Sequence, residues 1–345
     1  MTKQPFASPA ESQFLRQAIA GDTYAFDQLI KPYRRPLHVH CYRMLGSPFD
    51  ADDALQDTLL AAWRGLGSFE ARSAFGTWLN SIATHACLRM ISRRPRRLDS
   101  AHYGAPLQST AELGETVPGP VWLEPIPDSE LLHGSAAQED PAATLLRREH
   151  IGLAFVAMLQ HLPGTQRAVL LLREVLGYSA AETADILETT IASTNSALQR
   201  ARITLRAKSP SSVHPVEMHQ VDEQELDVLL RAFLSAWERR DVTAMMNLLT
   251  EDARFTMPPL PAWFAGREFV GKFFAERVFA TPWRLRPLRG NCQPGFACYL
   301  KQAGEDRFRP GGVVLLRVQG GRIAAIESFL DPVVCRRFGM AEEVF

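Results

Sequence analysis

GSPFDADDALQDTLLAAWRGLGSF (Gly46–Phe69), the turn-rich joint EARSAFG (Glu70–Gly76) and TWLNSIATHACLRMISRRPRR (Thr77–Arg97) form the stretch on which the reading of this chain turns. Asp50 precedes an apolar run, and Asp52 and Asp53 fall in the first turn, where acids favour the helix dipole. Leu55, Leu59, Ala62 and Leu66 recur at i, i+4, i+7 and i+11, so the spacing predicts a helix with this stripe toward a core. Asp53, Gln56, Asp57, Leu60 and Arg64 are left on another face, acids and an amide around one leucine. Alone, that face would read as solvated surface. The next helix changes the balance: it carries Trp78, Leu79, Ile82, Ala83, Ala86 and Met90 and runs into Arg89, Arg93, Arg94, Arg96 and Arg97. An acidic docking face, an aromatic joint and an arginine-rich helix end suit a chain that bridges another protein and DNA.

These residues, DADDALQDTLLAAW (Asp50–Trp63) and FGTWLNSIATHACLRMISRR (Phe75–Arg94), resemble region 2 of the bacterial sigma factors, in particular the extracytoplasmic-function group. The resemblance implies that the first helix docks on the beta-prime clamp of RNA polymerase, through Asp53, Gln56, Asp57 and Leu60. It implies that the joint and second helix open the minus-ten element and hold flipped bases, with Phe75, Trp78, His85, Arg89, Arg93, Arg94, Arg96 and Arg97 on the DNA side. His85 and Arg89 stand where that family usually shows asparagine and aspartate.

The chain has 345 residues, enough for two or three domains, and its charge balances at 38 basic and 38 acidic residues. The distribution is uneven: residues 1–98 carry a net +5 and residues 99–148 a net −6. Such local fields steer partners more than the overall charge does. The five cysteines show no CxxC spacing and no cluster with histidine, so reduced thiols are expected in place of a metal site. His38 and His40 lie two apart and cannot share a helix face. No apolar leader or membrane-length run appears, so the expectation is a cytoplasmic chain with no membrane partner.

Ahead of the opening stretch, Phe14 to Ile19 and Phe26 to Leu45 repeat apolar residues every three or four positions and read as helices packing beneath it. From Asp99 to Arg148 the periodicity fails; proline, glycine and acids predict an extended linker, with one apolar island at VWLEPIPDSELL (Val121–Leu132). That island is expected either to dock on a neighbouring domain or, by the resemblance, to run through polymerase channels. Periodicity returns at residues 149–208. Ser179 with Glu182 three residues later forms a capping box, AAETADIL follows as a short helix, and ETTIASTNSALQRARITL comes next. This is a helix-turn-helix pattern. Ile191, Thr194, Leu198 and Ala201 are expected in its core, leaving Asn195, Gln199, Arg200 and Arg202 for DNA. YSAAETADIL and TNSALQRAR resemble region 4 of the same family, which reads the minus-thirty-five element and meets the polymerase beta flap.

After a short linker (209–221), residues 222–345 change character: helices at Glu223–Arg239, Val242–Leu249 and Arg267–Phe279 combine with strand-like ARFTM, PWRLRPLRG, GFACYLKQ, GGVVLLRVQGG and RIAAIESFLD, closing on a hairpin at Gly320-Gly321. MPPLPAWFAGREFVGKFF, RGNCQPGFACY and IAAIESFLDP resemble the SnoaL-like, ketosteroid-isomerase-like cone domains. The resemblance implies a small apolar pocket, for which Trp263, Phe264, Phe273, Trp283, Phe296, Tyr299 and Phe329 are the candidates, and a small-molecule ligand there. No histidine follows His219, and Asp252, Glu327 and Asp331 read as turn, edge or cap residues, so no catalytic residue and no cofactor are expected.

The expected architecture is therefore multidomain: two all-α modules, a region 2 helical bundle (10–98) and a region 4 helix-turn-helix (149–208), plus a C-terminal α+β SnoaL-like cone (222–345), with an acidic Pro/Gly-rich linker (99–148) between the modules. The expected function is that of a sigma factor, whose partners are core RNA polymerase and promoter DNA and whose C-terminal domain regulates it. The competing readings are a helix-turn-helix regulator with a ligand-sensing domain, for which Asp50–Arg97 would have no use, and a SnoaL-type enzyme fused to a DNA-binding region.

Overall fold

A computed structural model describes residues 9–70, 73–119, 121–131, 151–208, 222–302, 304 and 306–344. The expected linker residues 132–148 and 209–221 lie outside the described residues. The chain divides into two compact units: Met1–Arg96 with Ala154–Ser209, and Arg97–Leu153 with Pro210–Phe345.

The first unit opens with α1 (Pro9–Ile19), α2 (Thr23–Leu45), α3 (Pro48–Gly65) and α4 (Phe75–Ile91). Asp22 caps α2 by accepting from the Ala25 amide at 3.0 Å, and Gly46, at φ 73°, ends it in the left-handed region where a β-carbon is costly. The cap of α3 is Ser47, not Asp50: its hydroxyl accepts from the Asp50 amide at 3.2 Å and Pro48 takes the first turn. The deepest stripe of α3 is Ala51, Ala54, Thr58 and Ala62, all fully buried, while Leu55 and Leu59 are half-buried at its margins. Small side chains here let α3 lie close against α2, whose Leu29, Ile30, Leu37, Tyr42 and Met44 are 0–1% exposed.

Further helices complete the chain's middle: α5 (Ser100–Tyr103) and α6 (Asp128–Leu131) are single turns of the second unit, while α7 (Leu153–Leu159), α8 (Gly164–Leu170), α9 (Ala180–Ile186) and α10 (Ile191–Lys208) form the helix-turn-helix region. The capping box is present: the Ser179 hydroxyl accepts from the Glu182 amide at 3.1 Å, and the Ser179 amide donates to the Glu182 carboxylate at 2.8 Å. Thr194, Leu198 and Ala201 are buried as expected, but Ile191 is 50% exposed.

In the second unit α11 (Glu223–Glu238), α12 (Val242–Leu248) and α13 (Arg267–Glu276) combine with a six-stranded sheet of order β2-β1-β6-β5-β4-β3, followed by α14 (Pro332–Arg337). The strands are β1 (Leu249–Thr256), β2 (Trp263–Ala265), β3 (Trp283–Gly290), β4 (Gln293–Lys301), β5 (Phe308–Gln319) and β6 (Arg322–Phe329). Only β1 and β6 pair in parallel; β5 and β6 meet through Gly320-Gly321. One core joins Phe233 and Trp237 of α11, Phe273 and Phe274 of α13, and Phe255, Phe264, Phe296, Val314, Leu316 and Ile326 of the sheet. The short β2 falls outside the strand-like segments expected from the sequence.

The described part of the acidic stretch is not extended. Leu98 bridges Trp122, the Leu107 amide donates to the Trp263 carbonyl at 2.8 Å, and the Val117 amide donates to the Pro259 carbonyl at 3.0 Å. Trp122, Leu123, Ile126 and Leu131 are 0–7% exposed, and Leu107 and Leu113 pack on the C-terminal core. The apolar residues here have no helical or strand period, so their burial depends on a surface that another part of the chain supplies.

Candidate functional site

Asp53, Gln56, Asp57 and Leu60 stand exposed on α3 at i, i+3, i+4 and i+7, opposite the buried alanine stripe. The Asp53 side chain is 64% exposed, with Arg94 at 3.7 Å as its ion-pair neighbour; Arg94 also pairs with Asp50. Two residues expected on different surfaces, Asp53 and Arg94, thus adjoin.

The joint is an aromatic cluster. Phe75 is 1% exposed, with ring centroids of Tyr33, Phe69 and Trp78 at 5.6, 5.4 and 5.6 Å. Its ring is enclosed, so it supports the joint where a direct DNA contact was expected. Trp78 is half-buried, and so is His85, whose Nδ1 lies 2.9 Å from the Ser81 carbonyl oxygen. Arg89, Arg93, Arg94 and Arg96 are exposed. Arg97 is not: it is 6% exposed, donates to the Trp122 carbonyl at 2.7 Å and lies 3.2 Å from the Glu124 carboxylate. A guanidinium bound there is not available for the DNA contact expected of it.

On α10, Asn195, Gln199 and Arg200 are exposed. Arg202 donates to Glu174 at 2.7 Å, which gives it an internal partner that the spacing of the helix does not reveal.

Two groups absent from the expected set dominate the second unit. Asn291 and Cys292 form the two-residue turn between β3 and β4, both at positive φ (52° and 58°), the pattern of a twisted hairpin turn. The Asn291 side chain is fully buried. Its Oδ1 accepts from the Ile126 amide at 3.0 Å and its Nδ2 donates to the Ile151 carbonyl at 2.8 Å, while its own amide donates to the Ile126 carbonyl at 3.0 Å. The neighbouring Cys292 amide donates to Asp128 at 2.7 Å, and the Gln293 side chain accepts from the Leu153 amide at 3.1 Å. One turn therefore grips the segment between the helical modules at its middle, Ile126 and Asp128, and at its end, Ile151 and Leu153. An asparagine between two strands signals the turn in sequence, but not what its side chain holds.

The second group is Glu327. Burial drives its carboxyl above the usual carboxylate range, against the opposing pull of Arg317; nearby Asp99 raises it further and a hydrogen bond from Gln293 lowers it. One carboxyl oxygen is buried without a partner. The folded chain thus holds this proton to higher pH than the unfolded chain does. The resulting stability is fully present below the unfolded carboxylate pKa and is lost as pH rises through the folded one. Glu327→Gln should melt with the parent at about pH 4 and a few degrees above it at about pH 8. Coincident melting curves of the C-terminal unit at both pH values would contradict this.

The seven aromatic residues expected around one pocket do not share a face. Phe264 and Phe273 stack at 4.6 Å, Phe296 stacks on Phe233 at 5.4 Å, and Trp283 packs against the same core, 6.0 Å from Trp237. Tyr299 belongs to a separate cluster with Ala297, Phe308 and Val344. Trp263 adjoins Phe264 on β2, and Phe329 pairs with Val313 rather than with the core residue Val314, so strand alternation turns both to the other face. The Trp263 indole there donates to the Gly104 carbonyl at 2.8 Å. Among the described residues no group of three or more metal-ligating side chains occurs, and no helix is long and apolar enough to cross a membrane.

Comparison with known proteins accords with this arrangement. Residues 29–97 match the model of Sigma-70 region 2, residues 152–205 that of Sigma-70 region 4, and residues 230–326 that of the SnoaL-like domain. The ECF RNA polymerase sigma factor SigG of Mycobacterium tuberculosis is 37% identical over 324 residues, covering 92% of this chain and 85% of the relative. SigM of the same organism is 33% identical over 196 residues, covering 57% of this chain and 83% of its own length. In fold, the crystal structure of the M. tuberculosis extracytoplasmic function sigma factor SigJ matches with a TM-score of 0.58 at 19% identity, over 89% of this chain and 97% of that one. With relatives matched along nearly its full length and both sigma regions in order, the chain belongs to the ECF RNA polymerase sigma factors and carries a SnoaL-like domain at its C-terminal end.

Proposed function

We propose that this sigma factor is restrained by its own C-terminal domain, which holds the segment between regions 2 and 4 until core polymerase draws it away. In this reading Asp53, Gln56, Asp57 and Leu60 meet the beta-prime clamp and region 4 meets the beta flap. Trp78, His85 and the exposed arginines of α4 and its end engage the minus-ten element, and Asn195, Gln199 and Arg200 the minus-thirty-five element. The carrying observation is Asn291, whose buried amide ties Ile126 and Ile151 to one hairpin turn. Within the family resemblance the segment runs through polymerase channels, and a segment held on a hairpin cannot do both. The domain acts by binding, without catalysis: its buried acid, Glu327, pairs with Leu315 and sits on the sheet face opposite the aromatic core. A small-molecule ligand would shift the restraint only by binding the held and released forms with different affinity. The cytoplasm, where core polymerase and promoters are found, is the place of action.

Hydrogen exchange on the full chain tests this. The Asn291 and Cys292 amides, which donate to Ile126 and Asp128, are expected to exchange slowly in the free protein and to lose protection when core polymerase is added. Unchanged protection in the polymerase complex would contradict the reading.

A further inference from the structure

Helix α10 carries an apolar side chain that the core does not take. Thr194, Ala197, Leu198 and Ala201 are buried, at i, i+3, i+4 and i+7, and make its inward stripe. Ile191 opens the same helix and is 50% exposed. The turn before it is fixed by its own hydrogen bonds. The Thr189 amide donates to the Ala184 carbonyl at 2.9 Å, and the Thr190 hydroxyl caps α10 by accepting from the Ser193 amide at 3.1 Å. Glu188, at φ 51°, turns the chain between α9 and α10. Ile191 is therefore held outside the packed stripe.

The surface around Ile191 suits a groove lined with phosphates. From Ile191 to Lys208 the helix has no acidic residue, and IASTNSALQ (residues 191–199) has no charge at all. Ala192, Ser193, Asn195, Ser196 and Gln199 are exposed there, so nothing charged keeps base edges away. The cations come later: Arg200 and Arg206 are exposed, and Arg202 is drawn to Glu174. Phosphates attract such cations, whereas the N-terminal residues of a recognition helix meet base edges. Ile191, Asn195 and Gln199 recur at i, i+4 and i+8, so they follow one ridge of the helix.

Amide side chains read adenine edges in the major groove, and the partner of every adenine presents the C5 methyl of thymine. Ile191 precedes Asn195 by about 6 Å along the helix, at about 1.5 Å per residue, which is about two steps of 3.4 Å along a DNA strand. We propose that Ile191 is a specificity residue for the upstream element: it packs on the methyl of a thymine one or two base pairs from the pair read by Asn195. This rests on the assignment of α10 to the minus-thirty-five element. Burying one methyl-sized group changes affinity about fourfold. The other exposed isoleucine of the helix, Ile203, lies about 18 Å further on, between Arg200 and Arg206, and has no part in the contact.

The test uses the full chain with core polymerase. Upstream elements are enriched from a randomised duplex library, and each thymine of the enriched element is then replaced singly by uracil, which removes only the methyl. In the parent, one such replacement should weaken binding about fourfold, one or two base pairs from the position where Asn195→Ala loses base preference. Ile191→Ala, which keeps a good helix former, should bind the thymine element about fourfold less tightly than the parent and should no longer respond to uracil there. Ile191→Val retains a branched apolar side chain and should respond again, while Ile203→Ala should behave as the parent. A parent insensitive to uracil at every thymine, equal binding by Ile191→Ala and the parent, or the same uracil response in both would overturn the proposal. Failure of the underlying assignment looks different: Asn195→Ala and Gln199→Ala would then both enrich the parent's upstream element with unchanged preference.

Discussion

Alanine at both Asp53 and Asp57 is expected to weaken core-polymerase binding by about a hundredfold while leaving the melting temperature within a degree or so of the parent. Both carboxylates stand on the exposed face of α3 and neither fills the core. The ion pair given up among the described residues, Asp53 with Arg94 at 3.7 Å, is largely solvated, and such pairs contribute about 0–1 kcal/mol. At an interface the same groups become desolvated acceptors, each worth about 1.5–3 kcal/mol when bound by a charged or amide donor. Two such losses at the lower end of that range, about 3 kcal/mol together, give the stated factor. Titration of fluorescently labelled chain with core polymerase measures it, and equal affinities for a folded double variant would return this face to ordinary solvated surface.

The second large effect is expected at Asn291. Glycine there keeps the left-handed backbone of the turn and deletes only the buried carboxamide. The Ile126 amide and Ile151 carbonyl then have no partner from that side chain, at about 1–3 kcal/mol each if they stay buried. The segment escapes that cost by leaving the turn. Proteolysis within residues 97–131 should accelerate by one to two orders of magnitude, and promoter-dependent initiation at limiting protein should rise. Asn291→Asp separates the two bonds: it retains an acceptor for Ile126 but cannot donate to Ile151. Unchanged proteolysis in Asn291→Gly would show that the segment is held elsewhere, for instance by Arg97 at Trp122 or by Glu130 at Arg337.

Much of the molecule was legible in local pattern. The acid-and-amide face of α3 is one such case, and the Ser179–Glu182 capping box and the Gly320-Gly321 hairpin are others, because each depends on spacing within a few residues. Errors arose where tertiary context chose among locally equal options. Leucines at 55 and 59 predict the core stripe of α3, yet the close approach of α2 selects the alanine side. Phe75 and Arg97 carry the side chains of a DNA surface, but one is walled in by Tyr33, Phe69 and Trp78 and the other by Trp122 and Glu124. The aromatic residues of the cone resemble one another in sequence, but strand parity sends Trp263, Tyr299 and Phe329 away from Phe264 and Phe296. Least legible was the acidic stretch. Its Leu107 and Ile126 have no period, since their partners, Trp263 and Asn291, lie more than a hundred residues away.

The family assignment removes the reading of an ordinary helix-turn-helix regulator, and the two readings part most clearly in one measurement. Purified core polymerase is supplied with a randomised promoter library, with and without the full chain, and the 5′ ends of run-off transcripts are mapped. The account predicts chain-dependent transcripts that start at a fixed distance downstream of two enriched elements. Binding of the chain to duplex sites with no new transcript starts from core polymerase would contradict it.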